Sequence, residues 1–110
     1  MRPRNIALTA KEAALDKKAE DPVILDIKKL TNVAQYFVIV HGNSDRHVRA
    51  IAQGISDVME ENKIKRWHIE GMDSGQWVLL DYASVIIHVF YRGVREFYGL
   101  ERLWGEAPRL

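Results

Sequence analysis

The chain has 110 residues, of which 47% are apolar and 28% are charged, and it carries a net charge of +1 with no cysteine. This size and balance predict a single domain over residues 1–110, and the missing thiols exclude disulfides, thiolate catalysis and cysteine metal sites. A charge so close to neutral disfavours a protein that binds mainly to nucleic-acid phosphates, although it leaves room for RNA at the edge of a larger interface.

The first residues contain no apolar segment of the kind that a secretory signal needs, and acidic residues follow them within a short distance. No apolar run approaches the roughly 20 residues that are needed to span a bilayer. We therefore expect a cytoplasmic protein that makes no membrane contact.

A first helix is predicted over residues 9–19, because Thr9 is a suitable N-cap and Glu12 completes a capping box three residues later. The helix carries few large apolar residues, which favours a place at the edge of the fold. Asp21-Pro22 should end it, since a proline disfavours helical geometry at the residue before it.

Two strands are predicted over residues 23–28 and 36–41, and the second is apolar throughout, as expected of a strand buried on both faces. The clearest helix follows over residues 45–61, with Ser44 as its N-cap. Its apolar positions recur at helical spacing: Val48, Ile51, Ala52, Ile55, Val58 and Met59. Gly54 interrupts this pattern, and close packing against a strand would explain it.

Three further strands are predicted over residues 66–70, 76–82 and 85–91, the last two joined by a hairpin turn at Ala83-Ser84. Residues 94–103 should form two short helical turns that are separated by Gly99. The resulting order, αββαβββα, predicts an α/β fold with a mixed five-stranded sheet flanked by helices.

Signals for catalysis are weak along the whole chain. The turn Gly42-Asn43-Ser44 precedes a helix and resembles an anion site, but no P-loop lysine follows it. The acidic candidates for two-metal nucleotidyl transfer are Asp26, Glu70, Asp73 and Asp81, and they include no Asp-x-Asp pair. The histidines His41, His47, His68 and His88 show no zinc spacing, and His88 is typical of a hydrogen-bonded core residue. We expect no catalytic residue, metal or cofactor.

The strand that contains Trp77 favours binding instead. Strict alternation places Trp77, Leu79 and Asp81 on one face and Val78 and Leu80 on the other. If Val78 and Leu80 face the core, Trp77 and Leu79 form an exposed apolar patch. Charged residues (Asp81, Asp73 and Arg66) then surround this patch, as in an interface hot spot. The alternative is that a helix covers this face as well. Trp104, near the chain end, should pack the last helix down.

Several segments in order carry a resemblance that spans about residues 9–108. They are Ala19-Glu20-Asp21 before Ile24-Leu25-Asp26, Tyr36-Phe37-Val38-Ile39, Gly42-x-Ser44-x-x-His47-Val48-x-Ala50-Ile51-Ala52, Glu70-Gly71, Trp77-Val78-Leu79-Leu80-Asp81-Tyr82, Val85-Ile86-Ile87-His88-Val89-Phe90 and Arg95-x-Phe97-Tyr98-x-Leu100-Glu101-x-Leu103-Trp104. On these residues the chain resembles the ribosomal silencing factor family RsfS, also called Iojap.

The resemblance implies a nucleotidyltransferase-like fold without its catalytic carboxylates, and therefore a protein that is not an enzyme. It further implies binding to ribosomal protein fourteen of the large subunit, a block on joining of the small subunit, lower translation when nutrients are scarce, and a homodimer off the ribosome. The contact residues that we expect are Trp77, Leu79, Asp81 and Tyr82, with Asp73 and His88 nearby. Two rival functions are a metal-dependent nucleotidyltransferase, dependent on Asp26 or Asp81, and a direct RNA binder.

Overall fold

Five strands and four helices follow one another in the computed structural model, which describes residues 1–110. In chain order they are α1 (Pro3–Asp16), β1 (Glu20–Asp26), β2 (Tyr36–Gly42), α2 (Asp45–Glu61), β3 (His68–Glu70), β4 (Trp77–Asp81), β5 (Val85–Tyr91), α3 (Arg92–Tyr98) and α4 (Leu100–Leu103). The predicted α/β class and element order are confirmed. Gly99 adopts left-handed geometry, with φ of 56°, and separates the two last helices as expected.

The five strands form one mixed sheet in the order β1-β2-β5-β4-β3, in which β2 and β5 are parallel and the other pairs antiparallel. Residues 108–110 run along the outer side of β1. There the amide of Asp26 donates to the carbonyl of Pro108 at 2.8 Å, and the amide of Leu110 donates to the carbonyl of Ile24 at 3.0 Å. The outer edge of β1 is therefore paired over residues 24–26, whereas β3 has a strand on one side only.

The helices α1 and α2 cover one side of the sheet, which we call the helix face. The apolar stripe of α2 is buried there except for Val58, which is partly buried. The N-terminus of α2 is capped as predicted, because Ser44 Oγ accepts from the amide of His47 at 3.0 Å. Gly54 is buried too, but the expectation of a neighbouring strand is wrong. A Cβ at this position would lie 2.7 Å from the Lys17 side chain, just after α1.

The first helix differs most from its prediction. It begins at Pro3, six residues before Thr9, and it ends at Asp16. A proline in the first turn fits, since the amide that it lacks has no intrahelical partner there. One side of α1 is buried in the core, mainly through small residues: Ile6, Ala7, Ala10, Ala13 and Ala14. The helix is therefore a core element, because alanines let it lie close against α2. Asp21-Pro22 falls inside β1, at an irregularity of its pairing.

The second side of the sheet, which we call the open face, has a thinner cover. Its buried cluster includes Leu25, Phe37 and Phe90, and it is covered by side chains from α3, α4 and the residues that follow. Trp104 packs edge-on against Phe37, with ring centroids 5.4 Å apart. The prediction that Trp104 holds the last helix down is confirmed.

Candidate functional site

Strand β4 alternates between the two faces as predicted. Val78 and Leu80 are fully buried on the helix face, while Trp77 and Leu79 are half-buried on the open face. Neither alternative drawn from the sequence, an exposed patch or a face covered by a helix, fully describes Trp77. Its indole is neither bare nor sealed beneath a helix, because α3 reaches only one side of it.

Aromatic rings surround Trp77 on the open face. The indole centroid lies 4.8 Å from the ring of Phe90 below it and 4.8 Å from the ring of Tyr98 on α3. Phe97 contacts Tyr98 at 5.2 Å and leaves 79% of its surface exposed, while Tyr98 leaves 50%. Trp77, Leu79, Phe97 and Tyr98 thus form one partly exposed apolar area, which we call the docking surface. Aromatic area of this kind is characteristic of interface hot spots.

His88 lies beneath the docking surface rather than on it. Its side chain is buried, and its Nδ1 accepts a hydrogen bond of 3.1 Å from the indole N–H of Trp77. Burial lowers the pKa of His88 to about 4, so the ring is neutral at pH 7 and its proton sits on Nε2, which has no partner. The expectation of a hydrogen-bonded core histidine is confirmed. His88 supports Trp77 and is not accessible to a partner in this conformation.

Tyr82 is also inaccessible, and for a different reason. It follows Asp81 in the chain, so it turns toward the helix face, where it is 4% exposed within the main core. Burial raises the pKa of its hydroxyl. Tyr82 therefore shares no exposed surface with Trp77 and Leu79, and the parity of the strand explains why. It stands an even number of residues from Val78 and Leu80.

The charged rim differs from the predicted one. Arg66 turns to the helix face, where its guanidinium donates to Ser56 Oγ at 2.9 Å. Asp81 lies on the open face, half-buried, and its Oδ1 accepts from the amide of Ala83 at 2.8 Å, which fixes the hairpin turn. Asp73 is exposed in the turn between β3 and β4. Cross-strand pairing adds Glu70 beside Leu79.

A small hollow opens at the margin of the docking surface. Its volume is about 220 Å³, and its walls are Glu70, Gly71, Trp77 and Leu79. Gly71 has φ of 90°, and a Cβ there would lie 1.9 Å from the carbonyl oxygen of Trp77. Only glycine lets the turn approach β4 so closely. The hollow has room for one apolar side chain of a partner.

The remaining candidates for chemistry stay apart. Asp26 lies on β1 and pairs with Lys28 at 3.4 Å, across the sheet from Glu70 and Asp81. No group of three or more histidine, aspartate or glutamate side chains is arranged to hold a metal ion. At the 42–44 turn, the amide of Asn43 donates to His47 Nδ1 at 3.0 Å, so this donor is already used. None of the helices is long and apolar enough to cross a membrane.

Fold and surface together define the class of this protein, a small α/β protein with partly exposed aromatic side chains on one side of its sheet. The family model described as "Ribosomal silencing factor during starvation", RsfS, matches residues 1–110. The chain therefore belongs to the RsfS family, and the resemblance seen in its motifs is confirmed.

Individual relatives agree with this assignment. The ribosomal silencing factor RsfS of Bacillus subtilis is 46% identical over 108 residues, which cover 98% of this chain and 92% of that protein. Protein Iojap from the chloroplast of Zea mays is 30% identical, over 94% of this chain and 45% of its own length. An X-ray crystal structure of a Chromobacterium violaceum protein superposes with a TM-score of 0.93 at 37% identity, covering 96% of this chain and 88% of that one.

Proposed function

We propose that this protein acts in the cytoplasm as a ribosomal silencing factor, docking on ribosomal protein fourteen of the large subunit and blocking association with the small subunit. The result is lower translation under nutrient limitation. Membership of the RsfS family supports the general role. The observation that carries the binding mode is the docking surface, where aromatic side chains stay partly exposed beside a charged rim.

The mechanism is steric and needs no covalent step. The domain has a mass of 12.7 kDa and extends 34 × 33 × 21 Å, so a docked copy occupies volume that an approaching subunit needs. An interface of ordinary size buries about 800 Å² on each partner, which a surface of this diameter accommodates. Silencing then depends on occupancy, because bound protein and small subunit compete for the same side of the large subunit.

The contact residues follow from accessibility. Trp77 and Leu79 form the centre, and Asp81 and Asp73 belong to the rim. Phe97 and Tyr98 join them from α3, since they are exposed and contiguous with the indole. Tyr82 and His88 drop out of the contact set, because they are buried on the opposite face and beneath the indole, respectively.

The decisive variant is Trp77→Ala, which removes the central aromatic ring. We expect it to weaken binding to large subunits by about 2 kcal/mol or more, since truncated interface aromatics lose this amount. The test is co-sedimentation with isolated large subunits, small subunits and joined ribosomes, together with a subunit-joining assay. Trp67→Ala is the matched control, because Trp67 is 71% exposed just before β3 and outside the docking surface.

Three results decide the proposal. Co-sedimentation with large subunits alone, loss of that binding in Trp77→Ala, and normal binding in Trp67→Ala support it. If circular dichroism shows both variants to be folded and they bind equally well, this surface is not the binding site. Binding to small subunits alone would reject the proposed function altogether.

The same experiment separates protein from RNA as the main partner. An interface centred on Trp77 should lose little affinity between 50 and about 200 mM salt, whereas an RNA binder loses several orders of magnitude. Contact with ribosomal RNA at the margin of the interface adds only a shallow salt dependence. A metal-dependent nucleotidyltransferase is the rival in another class, and the separation of Asp26 from Asp81 in the sheet disfavours it.

The partly exposed docking surface also favours a homodimer in the free protein, since pairing would cover its apolar area. We expect dimer and ribosome contacts to overlap. An excess of large subunits should then convert the dimer into bound monomers, which crosslinking before sedimentation detects. A dimer that persists on the subunit would show that the two contacts lie on different surfaces.

A further inference from the structure

A large cavity lies away from the docking surface, at the end of the sheet where the parallel strands β2 and β5 finish. Its volume is about 660 Å³. Four arginines line it, Arg92 and Arg95 from α3, Arg102 from α4 and Arg109 near the chain end, and we call it the arginine cleft. Only one of its eleven lining residues is hydrophobic. A cavity of this volume has the size of a small-molecule site, but its walls suit a charged ligand.

The acidic side chains of the cleft do not form ion pairs with all of its arginines. Asp21, Glu96 and Glu101 also line the cavity, and Glu101 is engaged with Arg95 at 2.8 Å. Arg102 and Arg109 form no ion pair within 4.0 Å, although they share the cavity with Asp21 and Glu96. Two guanidinium groups therefore keep their donors free.

Arg95 differs from these two, because it is buried and fixed. Its Nε donates to Glu101, its Nη1 lies 2.9 Å from His41 Nδ1, and the same Nη1 donates to the carbonyl of Glu20 at 3.4 Å. Burial lowers the pKa of His41, and the charge of Arg95 adds to the effect, so a neutral ring accepts this hydrogen bond. A guanidinium that is fixed by three hydrogen bonds through Nε and Nη1 is preorganised to donate through Nη2.

The position of the cleft agrees with ligand binding. In sheets that contain parallel strands, ligands bind beyond the carboxyl ends of those strands, and here β2 ends at Gly42 and β5 at Tyr91. Arginine forks recognise phosphate through paired, charge-assisted hydrogen bonds. We propose that the arginine cleft binds a phosphate-bearing ligand, with Arg102 and Arg109 as exposed, unpaired donors and Arg95 as the buried, fixed one. This site is independent of the proposed function.

The test measures phosphate binding by isothermal titration calorimetry, on the full chain in a low-salt buffer free of phosphate. The probes are inorganic pyrophosphate, a nucleoside diphosphate and a short single-stranded RNA, which separate a free phosphorylated molecule from an RNA backbone. The test variant is Arg102→Gln combined with Arg109→Gln, which leaves the Arg95–Glu101–His41 contacts untouched. Arg4→Gln is the control, since Arg4 is exposed on α1, outside the cleft.

We expect saturable binding of at least one probe and a rise in Kd of about tenfold or more in the double variant, because each lost charge-assisted hydrogen bond costs about that factor. Arg4→Gln should bind like the parent chain. Binding of the RNA alone, lost in the double variant, identifies the backbone as the phosphate source. The proposal is overturned if no probe binds, if the double variant binds as tightly as the parent, or if Arg4→Gln weakens binding equally.

Discussion

On the helix face of the sheet, α1 and α2 seal a cluster of 21 buried residues, whereas on the open face the buried cluster has eight residues and α3 and α4 leave Trp77 and Leu79 beside it partly exposed. Helix length accounts for the difference. The first two helices have 14 and 17 residues and the last two have seven and four. At about 1.5 Å per residue, the first pair reaches across the sheet and the second pair does not.

The comparison shows how one sheet separates folding from recognition. The core side chains of the helix face, such as Val78 and Leu80, are fully enclosed, so a change there acts on the stability of the fold. Trp77 and Leu79 alternate with two such residues, Val78 and Leu80, along β4, yet they keep part of their surface free. The alternation of a single strand thus assigns neighbouring residues to different tasks.

The sharpest way to break this distinction is to truncate two neighbouring leucines. Leu80→Ala should lower the free energy of unfolding by roughly 3 kcal/mol or more, because it leaves a cavity in a sealed core. Leu79→Ala should lower it by only about 1 kcal/mol, since its side chain is half-buried. Urea denaturation measures both. Equal losses would mean that the open face is as closely packed as the helix face.

A smaller effect should appear in the pH dependence of stability. The pKa of His88 is lowered from 6.5 to about 4 by burial, so between these values the unfolded chain binds a proton that the folded chain does not. Stability is therefore complete above pH 6.5 and falls as the pH drops toward 4. Keeping His88 free of a proton contributes a share of about 2 kcal/mol to the fall in the free energy of unfolding between pH 7 and pH 4.5.

Denaturation of His88→Gln at several pH values isolates this share, because glutamine keeps an acceptor for the indole of Trp77 but does not titrate in this range. The exposed His68 provides the matched control as His68→Gln. Any dependence of the free energy of unfolding on pH that remains in His88→Gln comes from other groups, among them the buried His41, whose pKa is also lowered. A parent-like slope in His88→Gln would contradict the prediction.

The smallest effect is expected at Trp67, the most exposed of the three tryptophans. Trp67→Ala should change the free energy of unfolding by no more than about 0.5 kcal/mol, as substitutions at exposed positions do. Thermal unfolding followed by circular dichroism is sufficient to measure it. A loss above 1 kcal/mol would give this indole a packing role that its exposure does not indicate.

Local patterns predicted the parts of the fold that depend on neighbouring residues. The Ser44 cap, the stripe of α2 and the alternation of β4 all follow from periods of a few residues. The start of α1 was not predicted by a local pattern. Thr9 has the chemistry of a cap, but the burial of alanines against α2 favours a helix that begins earlier. That contact is tertiary, and no single segment of the sequence contains it.

The candidate site shows the same division. The half of the docking surface on β4 was predictable from alternation. The burial of Tyr82 on the helix face also follows from its position in the strand, although the predicted contact set grouped it with Trp77. Phe97 and Tyr98 were missed as surface residues, since their contact with Trp77 depends on where α3 crosses the sheet. Arg66 was misjudged because its long side chain reaches around to Ser56 on the other face.

The pairing of residues 108–110 along β1 has a consequence for assembly. Because residues 24–26 of that border pair with the chain's own terminal residues, the seam that stays open to backbone hydrogen bonding along its whole length is at β3. Two molecules joined there would use up both seams and form a continuous ten-stranded arrangement with no place for a third. The terminal residues, while they stay in place, thereby disfavour growth into a fibril by strand addition.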